Sequence, residues 1–196
     1  MELFVATNNQ HKISEISAIL ERHGIKYRIP KKDELPEVEE TGKDLTENAI
    51  LKAKAGYRFS GLPTMADDTG LEVGYLDGAP GVYSARFAGK HCSYADNNKK
   101  LLKLLEDVEF EKRKARFRTV IALVLGDGRN LTVEGSVEGY IIDEPRGSNG
   151  FGYDPVFYYP PLDKTLAELS SEEKNRISHR ANALVELDQL LKKGVL

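Results

Sequence analysis

Hydrophobic and polar positions follow two different rhythms along this chain. Leu3 to Ala6 form a short β-type apolar run that gives way at once to Thr7-Asn8-Asn9. From Gln10 or Lys12 onward, Ile13, Ile16, Ile19 and Leu20 recur at helical spacing, and Gly24 stands where such a helix ends. Tyr27 to Ile29 predict a second strand stopped by Pro30, and residues 31–42 an acidic loop closed by Glu39-Glu40-Thr41-Gly42. A second helix is predicted from about Asp44 to Phe59, with Leu45, Ala49, Ala53 and Ala55 among its apolar positions. Thr64 to Ala66 predict a strand, Asp67-Asp68-Thr69-Gly70 an acidic turn, and Leu71 to Tyr75 a further strand.

Beyond the turn-rich Gly78-Ala79-Pro80-Gly81, Asn97 to Leu105 read as a helix through Leu101, Leu104 and Leu105. The period then changes to two. Residues 115–125 and 130–142 predict paired strands joined by the hairpin-type Gly126-Asp127-Gly128-Arg129. A glycine-rich loop, Gly147 to Gly152, precedes a strand candidate near Pro155 to Tyr159, and the last third ends in helix. Helices and strands neither alternate strictly nor segregate. The expected class is therefore α/β, a long mixed β-sheet flanked by helices. With no repeat and no low-complexity linker, residues 1–196 read as a single domain.

Charge narrows the choice of partner. With 28 Lys+Arg against 31 Asp+Glu, the net charge of −3 argues against a nucleic-acid polymer, whose phosphates call for a basic surface. A single nucleotide needs only a few local cations and stays open. The lone Cys92 rules out an internal disulfide and a cysteine-rich zinc site. No window approaches the ~18 apolar residues of a membrane span, and the N-terminal residues lack an export pattern. A cytoplasmic protein with no membrane partner is expected.

Five segments could carry chemistry. Asp67-Asp68 places two carboxylates where an apolar segment ends, a usual ligand position in α/β proteins. Neighbours in a strand point to opposite faces, so only one of the pair is expected to face a given cleft. There it could hold a divalent cation or take a proton from water; equally, the pair could cap a turn. Glu39-Glu40 is a second acidic pair, and Mg²⁺ is typically held by one or two carboxylates plus substrate phosphates. Thr7-Asn8-Asn9-x-x-Lys12 suits phosphate at a helix start, or Thr7 or Asn8 simply caps the helix. It is not a Walker A loop. Gly150 and Gly152 flank Phe151, presenting a ring for base stacking unless that ring is tucked into the core. Finally, Ser170 and Glu173 form a capping-box pattern. If Ser178 caps a new helix, Lys174, His179 and Arg180 can meet at the break; on one unbroken helix they share no face.

Together and in order, these segments closely resemble the inosine triphosphate pyrophosphatase family, in particular its bacterial dITP/XTP pyrophosphatases. The matching runs are Thr7 to Lys12, Glu39 to Gly42 with Glu47-Asn48-Ala49, Ala66 to Leu71, Gly78 to Arg86, Gly150 to Pro155, and Glu173 to Arg180. The resemblance implies a Mg²⁺-dependent hydrolase that converts ITP, dITP and XTP to monophosphate and pyrophosphate. It also implies a homodimer whose two lobes enclose a central nucleotide cleft. Position by position, it makes Asp68 the general base and Glu39 with Asp68 the metal site. Thr7, Asn8, Asn9, Gln10, His11, Lys12 and Lys52 match phosphate contacts. Thr69, Phe151, Gly152, Tyr153, Asp154, Lys174, His179 and Arg180 match nucleotide contacts. Asn8 and Thr69 are small departures, standing where Gly and Ser are frequent; Thr69 keeps the hydroxyl. Whether Glu39 or Glu40 is the metal ligand is not fixed by the sequence. Donors at Lys174, His179 and Arg180 would accept a 6-oxo purine and oppose the 6-amino group of adenine. They do not explain rejection of GTP. Two other readings are a non-catalytic nucleotide sensor and a pyrophosphatase of modified pyrimidine triphosphates.

Overall fold

The computed structural model describes residues 2–31, 34–36 and 38–193. In chain order the elements are β1 (Glu2–Val5), α1 (Gln10–Arg22), β2 (Lys26–Arg28), α2 (Leu45–Ser60), β3 (Thr64–Val73), β4 (Pro80–Gly81), α3 (Tyr94–Leu104), β5 (Lys114–Val124), β6 (Asn130–Ile141), β7 (Phe157–Tyr159), β8 (Lys164–Thr165), α4 (Ser171–Ile177) and α5 (His179–Lys192). The strands pair in the order β2-β1-β3-β5-β6-β7-β8, with β4 against β3. The sheet is mixed: β1 runs parallel to β2 and β3, and the β3/β4, β6/β7 and β7/β8 pairs are antiparallel. The parallel β1–β2 step needs a crossover, and α1 supplies it.

Local chemistry sets the helix ends. The side chain of Asp44 caps α2, and Gly61 ends it in the left-handed conformation at φ 67. A Ser93–Asp96 capping box starts α3 at Tyr94, three residues ahead of the start that apolar spacing gave. A second box, Ser170–Glu173, starts α4, which stops after seven residues. Ser178 is extended (φ −66, ψ 155), and α5 begins at His179, so the break read from the sequence is real.

The expected turn at Asp67-Asp68-Thr69-Gly70 is absent. These residues lie inside β3, one unbroken ten-residue strand that is almost entirely buried. A strand covered on both faces loses the polar–apolar alternation that would reveal it. Carboxylates are tolerated there only when paired with cations.

The chain forms two compact units. Unit 1 comprises residues 1–68, 119–135 and 179–196, and unit 2 comprises residues 69–118 and 136–178. The unit 1 core gathers Leu3, Val5, Ile16, Leu20, Met65, Ile121, Leu123 and Leu184. In unit 2, Leu71, Leu101, Leu105, Phe117, Ile141, Val156, Phe157 and Leu166 form a second core. Among the described residues, no helix is long and apolar enough to cross a membrane.

Candidate active site

In unit 1, two neighbours in β3 recruit different sets of cations. The Oδ2 atom of Asp67 accepts Lys12 Nζ at 3.0 Å, Arg180 Nε at 3.2 Å and Arg180 Nη2 at 3.1 Å. Arg180 is wholly buried and also pairs with Glu15 of α1. Asp68 accepts Lys52 Nζ at 2.5 Å, and the same ammonium donates to Glu40 at 2.9 Å. Alternation of side chains across a strand turns the two carboxylates apart. Lys12 is delivered by the start of α1. There Asn9 Oδ1 accepts His11 N at 3.0 Å and Lys12 N at 3.3 Å, and Thr7 Oγ1 accepts Asn9 N at 3.2 Å. The cap is therefore Asn9, rather than Thr7 or Asn8. The Asn8 amide instead donates to Leu35 O at 3.0 Å, while Gln10 and His11 are exposed in the first turn.

These environments tune the two carboxylates in opposite directions. Burial disfavours a charge on Asp67, yet Lys12 and Arg180 outweigh it and hold the carboxyl well below the usual range. For Asp68, burial raises the pKa and the nearby Glu40 charge adds to it, exceeding the downward pull of Lys52. Lys12 is lowered by burial, with Lys52 and Arg180 adding to the effect against Asp67. For Lys52 burial opposes the charge, but Asp68 and Glu40 win and the pKa rises. One acid is locked as an anion, and its neighbour holds a proton more readily than a free carboxylate does.

A divalent cation fits this set. Among the described residues, no three His, Cys, Asp or Glu side chains converge as an all-protein cage. Mg²⁺ does not ask for one, being held by one or two carboxylates with substrate oxygens supplying the rest. Asp68 and Glu40 already share a single cationic group, the Lys52 ammonium. Glu39, next to Glu40 on the same loop, is exposed.

Unit 2 holds a second cluster. The Phe151 N–H donates to Asp154 Oδ2 at 2.8 Å, and Lys174 Nζ reaches the same oxygen at 2.6 Å. Both charged side chains are buried, and the Lys174 ammonium sits 4.8 Å from the Phe151 ring centroid, within cation–π range. Gly150 is in the left-handed region at φ 72, and a Cβ there would come within 2.1 Å of Asp154 Oδ2. Only glycine allows this turn. On α3, Tyr94 meets Phe151 in a tilted contact at 6.0 Å, and Asn98, one turn later, donates to Gly152 O at 2.9 Å. The Tyr153 hydroxyl, its pKa raised by burial, donates to Ser84 O at 2.9 Å. Thr69 is half-buried in β3, and His179 is buried at the start of α5.

The Ham1 family profile matches residues 3–190. The chain belongs to the Ham1 family. Among relatives, the dITP/XTP pyrophosphatase of Thermoanaerobacter pseudethanolicus is 52% identical over 195 residues, covering 98% of each chain. That of Bacillus subtilis is 48% identical over 193 residues, covering 97% of this chain and 96% of its own. Two solved Ham1 structures share the fold. The Staphylococcus aureus protein aligns with a TM-score of 0.86 at 43% identity, covering 99% of this chain and 100% of its own. The Coxiella burnetii protein aligns at 0.88 and 42%, covering 98% and 99%.

Of the residues singled out in this Ham1 sequence, Lys12, Lys52, Asp67, Asp68 and Arg180 gather in unit 1, with Glu15 and Glu40. Phe151, Asp154 and Lys174 gather in unit 2 with Tyr94 and Asn98. Glu15, Tyr94 and Asn98 were not anticipated. Glu15 lies three residues past Lys12, on adjoining positions of one helix face, and that spacing was a usable signal. The Ser93-x-x-Asp96 pattern would have moved the start of α3 back to include Tyr94.

Proposed function

We propose that this chain hydrolyses the triphosphates of deaminated purines, dITP, XTP and ITP, to monophosphate and pyrophosphate. The supporting observation is the opposite tuning of Asp67 and Asp68, since adjacent carboxylates pushed apart in pKa mark a division of acid–base roles. In this reading Asp68 accepts a proton from water as the water oxygen bonds to phosphorus. The phosphoanhydride bond then breaks and pyrophosphate leaves. Phosphoryl transfer asks mainly for charge neutralisation and orientation, which Lys12 and Lys52 provide toward the triphosphate. Asp67, locked as an anion, keeps Lys12 and Arg180 in place. Mg²⁺, held by Asp68 with Glu39 or Glu40, supplies further charge neutralisation when bound.

The base is assigned to the unit 2 cluster. Phe151 offers a stacking face, and Lys174, a donor-only group fixed by Asp154, matches a 6-oxo acceptor. Adenine would set its amino donor against a donor. Thr7 to His11, Thr69, Gly152, Tyr153 and His179 complete the proposed substrate contacts. We also propose that the protein acts as a homodimer, in the cytoplasm, on the free nucleotide pool, with residues 1–196 as one functional domain.

The deciding assay is pyrophosphate release from dITP and XTP with Mg²⁺, run beside ATP, GTP and a panel of modified pyrimidine triphosphates. Rapid release from dITP and XTP with slow release from ATP is expected. Binding of dITP without turnover would establish the sensor reading instead, and preference for a pyrimidine would move the substrate class.

A further inference from the structure

The mechanism above depends on Glu39 and Glu40, which lie outside any helix or strand. What holds them is Asn48. Its Oδ1 accepts the Gly42 N–H at 2.8 Å, and Asn48 itself is completely buried on α2. One turn further along the same helix face, Lys52 takes Glu40 at 2.9 Å and Asp68 at 2.5 Å. The loop therefore meets α2 at two points, a backbone clasp at residue 48 and a side-chain clasp at residue 52. Its far end is tied down as well: Lys43 N donates to Glu47 at 2.8 Å, and Glu47 N donates to the Asp44 cap at 2.9 Å.

Two further observations separate this contact from ordinary packing. The approach at Gly42 is so close that a Cβ there would lie 2.5 Å from Asn48 Oδ1 and 2.8 Å from Glu47 Cβ. Meanwhile Asn48 Nδ2 is buried with no hydrogen-bond partner among the described residues. A buried unpaired donor costs stability, and a leucine of nearly the same shape would avoid that cost. Asparagine at 48 is thus a poor choice for the α2 core and a good one for gripping Gly42.

We infer that Asn48 is a positioning residue: by clasping Gly42 it sets the Glu39-Glu40 loop against Asp68 and so determines how tightly the site takes up its divalent cation. The inference rests on the pyrophosphatase reading only for its kinetic consequence. Its structural half stands independently.

The test compares the full-length wild type with Asn48→Leu and Gly42→Ala, the second attacking the same clasp from the loop side with Asn48 intact. Three quantities are read: melting temperature, hydrogen exchange of a peptide spanning residues 39–42, and the Mg²⁺ concentration for half-maximal dITP turnover. For Asn48→Leu the melting temperature should change little, because the orphan Nδ2 donor is gone while the Gly42 N–H loses its acceptor. Exchange of the loop amides should accelerate in both variants, and the Mg²⁺ requirement should increase about 10-fold, as when a group orienting a metal ligand is lost. Loss of melting temperature with unchanged loop exchange in both variants would overturn the inference, leaving Asn48 a packing residue. So would accelerated exchange with an unchanged Mg²⁺ requirement. If the wild type releases no pyrophosphate, the pyrophosphatase reading fails while the exchange comparison still decides whether Asn48 holds the loop.

Discussion

Arg180 reaches Asp67 with two nitrogens, and both land on the same oxygen, Oδ2, which also carries Lys12. This concentrates two positive charges on one buried carboxylate. Replacing it by an amide, Asp67→Asn, should destabilise the fold by about 3–5 kcal/mol in a urea titration, since Lys12 loses its carboxylate and the buried Arg180 keeps only Glu15. The pH dependence has a definite sign. Asp67 is held below its unfolded pKa of about 3.9, so its stabilisation is present above that value and drains away as pH falls toward the folded pKa. The gap between wild type and variant should therefore close on acidification below about pH 4. A gap that is constant with pH would remove the charge argument.

Asp68 should behave in the opposite way. Asp68→Asn is expected to keep its melting temperature while kcat drops by about 10²–10⁴, the usual worth of a general base. Because burial and Glu40 raise Asp68 in the metal-free protein, its carboxyl should titrate above about 3.9 by NMR without Mg²⁺. Added Mg²⁺ should pull that titration down. Full activity in Asp68→Asn would take the proton-accepting role from this residue.

On the base side, Phe151→Ala should weaken dITP binding by about 1–3 kcal/mol, read as a change in Kd by calorimetry. Gly150→Ala should also weaken it with the ring intact, because a methyl group at φ 72 collides with the Asp154 carboxylate that holds the Phe151 N–H. Unchanged affinity in both would place the base elsewhere.

The two loop glutamates can be told apart by metal dependence. The structure pairs Glu40 with Lys52 and leaves Glu39 exposed, whereas the family resemblance implies Glu39 and the sequence alone leaves the two open. Glu39→Gln and Glu40→Gln should differ in the Mg²⁺ needed for half-maximal turnover, and the ligand is the one whose loss raises it by about 10-fold or more.

Much of this architecture was legible in the residues. The Ser178 break, the period-two hairpin and the pairing of small polar residues with a lysine at α1 follow from local chemistry that leaves marks on the sequence. The strand status of Asp67 to Gly70 does not. Two acids beside a threonine and a glycine look like a turn, and only the distant Lys12, Lys52 and Arg180 make a buried strand affordable there. Contacts over 113 residues, as between Arg180 and Asp67, leave no periodic trace. The role of Asn48 was hidden for a similar reason. It matched the family pattern, but its partner is a backbone N–H that no side-chain pattern records.

The chain passes between its two units at residues 68/69, 118/119, 135/136 and 178/179. Two of those crossings fall beside Asp68 and beside His179. No single cut in the coding sequence yields either unit as a continuous polypeptide, so neither can be borrowed, fused elsewhere or lost on its own. A premature stop anywhere before α5 also strips Arg180 from Asp67, and a truncated product should emerge unfolded as well as inactive. Each unit is therefore complete only when separate stretches of one uninterrupted chain have all been made.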